Sequence, residues 1–166
     1  MIVLVLGGTR SGKSAFAERL ATSFPEPVTY LATLEVGDDP ELADRVATHR
    51  QRRPAGWSTV EPGAGLPEAL SRLGGTALVD SLGPWLAGCA GMAADPGPLC
   101  TALTRRAGDS VVVSEEVGLG VHPSSEAGRH FRDRLGTINQ AVAAVADRVV
   151  LVVAGRGLEL FPPEGT

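Results

Sequence analysis

Ile2-Val3-Leu4-Val5-Leu6-Gly7-Gly8-Thr9-Arg10-Ser11-Gly12-Lys13-Ser14 opens the chain and joins three signals. The run 2–6 is continuously apolar and rich in β-branched residues, the composition of a strand buried on both faces. The glycines that follow let the backbone curl so that successive N–H groups face one anion. From Ser11 to Ser23, the apolar residues Ala15, Phe16, Ala17, Leu20 and Ala21 fall at helical spacing, and Pro25 and Pro27 stop the helix. Gly7-Gly8-Thr9-Arg10-Ser11-Gly12-Lys13-Ser14 fits G-x-x-x-x-G-K-[ST] at every fixed position, in the strand–loop–helix context that a phosphate loop needs. The helix N-terminus adds its positive dipole end at the same point. Lys13 is expected to reach the β- and γ-phosphates of a nucleotide, and Ser14 to ligate Mg²⁺.

Composition strengthens this reading. The chain has 14 arginines and one lysine, Lys13. Where either cation would serve, this sequence uses Arg, so the single compact ammonium marks a position that needs one. The rest of the composition excludes several classes. At 166 residues and 43% hydrophobic content, the chain has the size and apolar fraction of one globular domain. A net charge of −4 argues against a nucleic-acid-binding surface. No apolar run approaches the ~20 residues of a membrane span. The run 2–6 has no basic flank and is too short for a signal peptide. Cys89 and Cys100 have no metal-type spacing and read as reduced thiols of a cytoplasmic protein.

Further along, strands are predicted at Val28–Thr33, Trp57–Glu61, Thr76–Asp80, Ser110–Ser114 and Arg148–Val153, the last strand of the chain. Helices are predicted at 40–53, behind an Asp38-Asp39-Pro40 turn and cap, and at Leu66–Leu73 and Leu99–Ala107. A long helix is expected at Ser124–Asp147, where Phe131, Leu135, Ile138, Val142 and Val145 repeat at 4, 3, 4, 3 spacing. Residues 82–98 carry seven glycines and prolines and resist assignment, and the Pro- and Gly-rich end reads as a frayed tail. Alternating strands and helices specify βαβ units: a three-layer α/β fold of the P-loop type, with a mainly parallel central sheet in one domain, 1–166.

Asp80 ends an apolar strand, where a Walker-B acid holds the metal of a bound nucleotide. Glu115 and Glu116 also follow an apolar strand, and one of them could take the metal or base role instead. His49 shares a helical stripe with Leu42, Val46 and Arg53, which on its own suits a core histidine. Four arginines within four residues (45, 50, 52 and 53) suit polyphosphate binding better. Their charge also favours a neutral imidazole, the form that can attack phosphorus. By residues, a nucleophilic His49 and a phosphate-contacting one stand even. His122 and His130 have no metal spacing, and no G-x-S-x-G elbow supports a hydrolase triad. Tyr30, Trp57 and Trp85 could stack on a ring ligand, but core packing is the plainer reading of each.

Several segments together resemble the bifunctional adenosylcobinamide kinase / adenosylcobinamide-phosphate guanylyltransferases of cobalamin synthesis. They are Leu6–Ser14, Tyr30-Leu31-Ala32-Thr33, Arg45-Val46-x-x-His49-Arg50 leading to Arg53-Pro54 and Trp57, and Leu78-Val79-Asp80. Towards the C-terminus, Glu116-Val117-Gly118-Leu119-Gly120-Val121, Arg129-His130-Phe131-Arg132-Asp133, Asn139-Gln140 and Leu151-Val152-Val153-Ala154-Gly155 follow in order. The resemblance implies two reactions, phosphorylation of adenosylcobinamide by ATP or GTP and transfer of GMP from GTP through a guanylylated histidine, which falls on His49. It implies nucleotide contacts at Gly7 to Ser14 (Gly8, Thr9, Arg10, Ser11, Gly12 and Lys13 between them), Ala32, Thr33, Leu34, Arg50, Gln51, Arg52, Arg53, Glu61 and Asp80. It also implies Mg²⁺ at Ser14 and Asp80, and a homo-oligomer, a trimer in the best-known form. The chain departs from the family in three places. Glu115 stands where many members have Asn. Thr48 stands where some have a second histidine. The segment between Asp80 and Ser110 resembles the family little, which leaves the corrinoid contacts unassigned. Two other readings make different predictions: a kinase of another hydroxyl metabolite would take no protein-bound GMP, and a nucleotide-gated binding module would turn nothing over.

Overall fold

A computed structural model describes residues 1–34 and 53–162. Most of the helix expected over 40–53 lies outside the described residues, as do the 38–40 cap, His49, Arg50, Gln51 and Arg52. Among the described residues seven strands form one sheet: β1 Ile2–Gly7, β2 Val28–Ala32, β3 Ser58–Val60, β4 Thr76–Asp80, β5 Ser110–Glu115, β6 Arg148–Val153 and β7 Arg156–Leu160. Their order is β3-β2-β4-β5-β1-β6-β7. β1 to β6 pair in parallel and β7 runs antiparallel to β6. The described helices are α1 Lys13–Thr22, α2 Leu66–Arg72, α3 Leu82–Gly88, α4 Pro96–Arg105 and α5 Glu126–Val145.

The pleat of β1 shows why the sheet sits between two helical layers. Successive side chains point to opposite faces. Ile2, Leu4 and Leu6 therefore pack with Leu66, Leu70, Leu99, Leu135, Ile138 and Val142 from α2, α4 and α5. Val3 and Val5 pack with Ala17 and Ala21 of α1 on the other face, among Tyr30, Leu78, Val111 and Val113. Every residue of β1 is buried, which the unbroken apolar run requires. The expected α/β class with a mainly parallel sheet is the observed one. Among the described residues no helix is long and apolar enough to cross a membrane.

Three expectations need correction or completion. Arg148–Val153 is not the last strand, and the end of the chain is not simply a tail, because residues 156–160 form β7 against β6. Every side chain of β7 is exposed, so no burial pattern betrays it, and Ala154 and Gly155 at positive φ make the turn that returns the chain. Residues 82–98 fold as α3, a 3-10 turn at Ala90–Met92 and the start of α4. α4 begins at Pro96, three residues before the expected Leu99. Asp95 caps it, accepting from Gly97 N–H at 2.9 Å, and prolines in a first turn lack only N–H groups that would have no helical partner.

Candidate active site

The C-terminal ends of β1, β4 and β5 converge beneath the N-terminus of α1. Gly7 ends β1, residues 8–12 make the loop, and Lys13 and Ser14 begin α1. The loop is closed by Ser11 N–H donating to the Gly8 carbonyl at 3.2 Å. Arg10 and Gly12 hold positive φ, at 58° and 88°. At Gly12 a side chain would be strained by that φ, and its Cβ would press on the Cα of Gly155 at 3.1 Å. The turn between β6 and β7 braces the loop from behind, with Gly155 N–H donating to the Ser11 carbonyl at 2.7 Å. No side chain caps α1 and no acid sits in its first turn. Its first N–H groups and dipole thus favour an anion.

Asp80 ends β4, separated from β1 by β5. Ser14 Oγ donates to Asp80 Oδ1 at 3.2 Å, and the Tyr30 hydroxyl donates to Asp80 Oδ2 at 2.7 Å. Burial first, and then the Asp80 charge, push the Tyr30 phenol far above its ordinary range, so it remains a donor. Both expected metal ligands, Ser14 and Asp80, are therefore adjacent. They offer a hydroxyl and a carboxylate, oxygen donors that suit a hard cation. Among the described residues no three His, Cys, Asp or Glu cluster as a closed metal cage, so such a cation would complete its shell with waters and phosphate oxygens.

Glu115 is the second acid of the crevice. In register it lies beside Gly7. Its Oε1 accepts from Ser81 Oγ at 2.7 Å and its Oε2 from Gly83 N–H at 2.9 Å. Lys13 Nζ stands 3.6 Å from Glu115 Oε1 and 3.5 Å from the Gly8 carbonyl. The carboxylate occupies the space a Cβ on Gly83 would need, so a side chain at residue 83 would displace Glu115. Asn139, the only asparagine, fixes this strand end: it accepts from Ser114 Oγ at 2.6 Å and donates to the Glu115 carbonyl at 3.0 Å. The other acid weighed from sequence, Glu116, is bound within its own loop, accepting from Gly118 N–H at 2.5 Å.

The remaining expected nucleotide contacts spread along the same edge of the sheet. Ala32 ends β2 beside Asp80 in register. Thr33 is buried; its Oγ1 donates to the Ser81 carbonyl at 2.6 Å and accepts from Ser81 N–H at 2.7 Å. Leu34 is half-buried, and Glu61 follows β3 at the surface. Arg53 lays its guanidinium over the Tyr30 ring, 3.4 Å from the centroid, and donates from Nη1 to Thr59 Oγ1 at 3.2 Å. Trp85 is a core residue, with its indole N–H donating to the Ala64 carbonyl at 3.2 Å. Tyr30 is buried too, but its hydroxyl belongs to the site. Sequence reasoning missed that role. The available signal was only that a phenol on a buried strand needs a polar partner; which partner depends on the strand order.

A model of the family described as cobinamide kinase / cobinamide phosphate guanyltransferase matches residues 3–160. The bifunctional adenosylcobalamin biosynthesis protein CobP of Pseudomonas aeruginosa is 40% identical over 167 residues, covering 95% of this chain and 95% of its own length. The bifunctional adenosylcobalamin biosynthesis proteins CobU of Salmonella typhimurium and Escherichia coli are 37% and 36% identical, each covering 96% of this chain and 99% of their own. Among solved structures, a prototypical ATPase from the type III secretion system of pathogenic bacteria superposes with a TM-score of 0.57 at 10% identity, over 95% of this chain and 56% of that one. That likeness concerns the fold alone. The phosphate loop, the strand-end Asp80 and the near full-length match to the family model agree, and the chain belongs to the cobinamide kinase / cobinamide phosphate guanyltransferase family.

Proposed function

We propose that this one domain carries both reactions joined in the family's name, and that both use the crevice between the phosphate loop, Asp80 and Glu115. In the kinase step the aminopropanol hydroxyl of adenosylcobinamide attacks the γ-phosphorus of ATP or GTP. The bond to the β–γ bridging oxygen breaks, and the nucleoside diphosphate leaves. In the transferase step an imidazole nitrogen of His49 attacks the α-phosphorus of GTP and pyrophosphate leaves. A phosphate oxygen of adenosylcobinamide phosphate then attacks the same phosphorus, breaks its bond to the imidazole and yields adenosylcobinamide-GDP. A covalent intermediate divides one displacement into two easier ones.

The observation that carries the reading is the convergence of Lys13, Ser14 and Asp80 at the N-terminus of α1, with Ser14 bonded to Asp80. The loop N–H groups and Lys13 would hold the phosphates and take up the charge that builds on them during transfer. Ser14 and Asp80 would hold Mg²⁺, which when bound neutralises phosphate charge. Gly7 to Gly12 cradle the phosphates in this account, and Ala32, Thr33, Leu34, Arg50, Gln51, Arg52, Arg53 and Glu61 complete the nucleotide's surroundings. The working form is a cytoplasmic homo-oligomer, a trimer as the family resemblance implies.

The test supplies adenosylcobinamide and ATP labelled on the γ-phosphate, then unlabelled GTP, and separates the corrinoids by chromatography. Label should pass to the corrinoid with ATP, and a GDP-bearing corrinoid should appear only after GTP. Lys13→Ala should lose at least a hundredfold in the first step, as expected for removal of a group that stabilises transition-state charge. Label that stays in nucleotide or inorganic phosphate would contradict the reading.

A further inference from the structure

Tyr30 makes two contacts of different kinds at opposite margins of the site. Its hydroxyl donates to Asp80 Oδ2 at 2.7 Å, while Asp80 Oδ1 receives Ser14. One ring face carries the Arg53 guanidinium at 3.4 Å. The ring itself is buried: it is 3% exposed and packed among the β-sheet residues on the α1 side. Arg53 is tied further to Thr59, which pairs with Tyr30 in register on the neighbouring strand. Arg53 follows His49 by four residues in sequence. A buried phenol thus touches the Asp80 carboxylate with its edge and the Arg53 guanidinium with its face.

We propose that Tyr30 is a positioning residue for both half-reactions: its hydroxyl orients Asp80 beside Ser14, and its ring seats Arg53, an expected nucleotide contact four residues beyond His49 in the sequence. The inference rests on the proposed function, but its two halves fail separately from it. The hydroxyl leaves Asp80 one oxygen turned to Ser14, the orientation a shared cation needs. The stacked guanidinium has its Nε buried without a hydrogen-bond partner, so ring contact rather than a full set of hydrogen bonds holds the group.

Tyr30→Phe removes only the hydroxyl, and Tyr30→Met removes the ring face as well. The first readout is the Mg²⁺ concentration that half-saturates nucleotide binding without turnover; the second is acid-labile label from GTP carrying label on the α-phosphate. Tyr30→Phe should need roughly tenfold more Mg²⁺, as for the loss of a hydrogen bond to a charged group, yet label normally at saturating Mg²⁺. Tyr30→Met should label about tenfold more slowly even at saturating Mg²⁺, as for the loss of a desolvated cation–π contact together with its packing. Unchanged Mg²⁺ dependence in Tyr30→Phe overturns the orienting half. Wild-type labelling by Tyr30→Met overturns the seating half. Should Tyr30→Met not fold, Arg53→Lys keeps the charge and loses the planar stack; normal labelling by that variant overturns the same half. If the wild type itself takes no label, the transferase reading fails, while the Mg²⁺ shift of Tyr30→Phe still tests the hydroxyl.

Discussion

Lys13 carries the only lysine ammonium in the chain, and it stands 3.6 Å from the Glu115 carboxylate, with both side chains mostly buried. A phosphate entering the loop has to draw that ammonium away from an opposite charge. Glu115→Gln keeps an acceptor for Ser81 and removes the competing charge. It should tighten nucleotide binding about three- to tenfold at low ionic strength, measured by titration, with the gain shrinking in salt. Equal or weaker binding by a folded variant would show that Glu115 does not compete for Lys13. Tyr30 supplies an independent check, because it is the only tyrosine. Its folded-state value is raised, so its stabilising contribution is complete below the ordinary phenol pKa of 10.0 and declines only as pH climbs above it. Tyrosinate absorbance should therefore appear only well above pH 10, together with loss of structure; ionisation in the folded chain at the ordinary value would contradict the buried bond to Asp80. At this scale Lys13, Ser14 and Asp80 were legible because motif and strand-end position identify them. The bonds of Tyr30 to Asp80 and of Ser81 and Gly83 to Glu115 were not. They span 50, 34 and 32 residues and depend on which strands are neighbours.

At the scale of elements, the turn from β6 to β7 acts on the phosphate loop through the Gly155 bond to Ser11. Gly155 sits at φ 74°. Gly155→Ala should cost about 1 kcal/mol by forcing a side chain into that conformation. Because the strain lies against the loop, it should also raise the KM for nucleotide. A denaturation curve and a kinetic titration read the two effects; lower stability with unchanged KM would separate the turn from the site. In α5, Ile138 is fully buried beneath the sheet, and Ile138→Ala should cost about 2–5 kcal/mol in the same denaturation measurement. The period of α5 was plain in the sequence because its buried stripe is apolar. β7 was hidden because its side chains face solvent and its turn residues imitate a tail.

The whole molecule brings the C-terminal ends of β1, β4 and β5 to one edge of the sheet, the edge at which the proposed function seats the nucleotide. Strand alternation predicted a parallel sheet, yet the insertion of β5 between β1 and β4 could not be read. Local pattern does not encode which strands become neighbours. That insertion brings Glu115 between the loop and Asp80. Ligand at a hundredfold excess over its Kd should add about 2.7 kcal/mol of stability. For a chain of this length that is a rise in Tm of roughly 5–10 °C with Mg²⁺ and GTP. Lys13→Ala should lose most of the rise, and an equal rise in that variant would place the nucleotide elsewhere.

The central claim is that the same phosphate loop serves a covalent transfer through His49. Purified protein is incubated with Mg²⁺ and GTP labelled on the α-phosphate, denatured and counted for bound label, with His49→Ala in parallel. The account predicts acid-labile, base-stable label on the wild-type chain and none on the variant. No label on either protein, with GTP binding demonstrated for both, would contradict it.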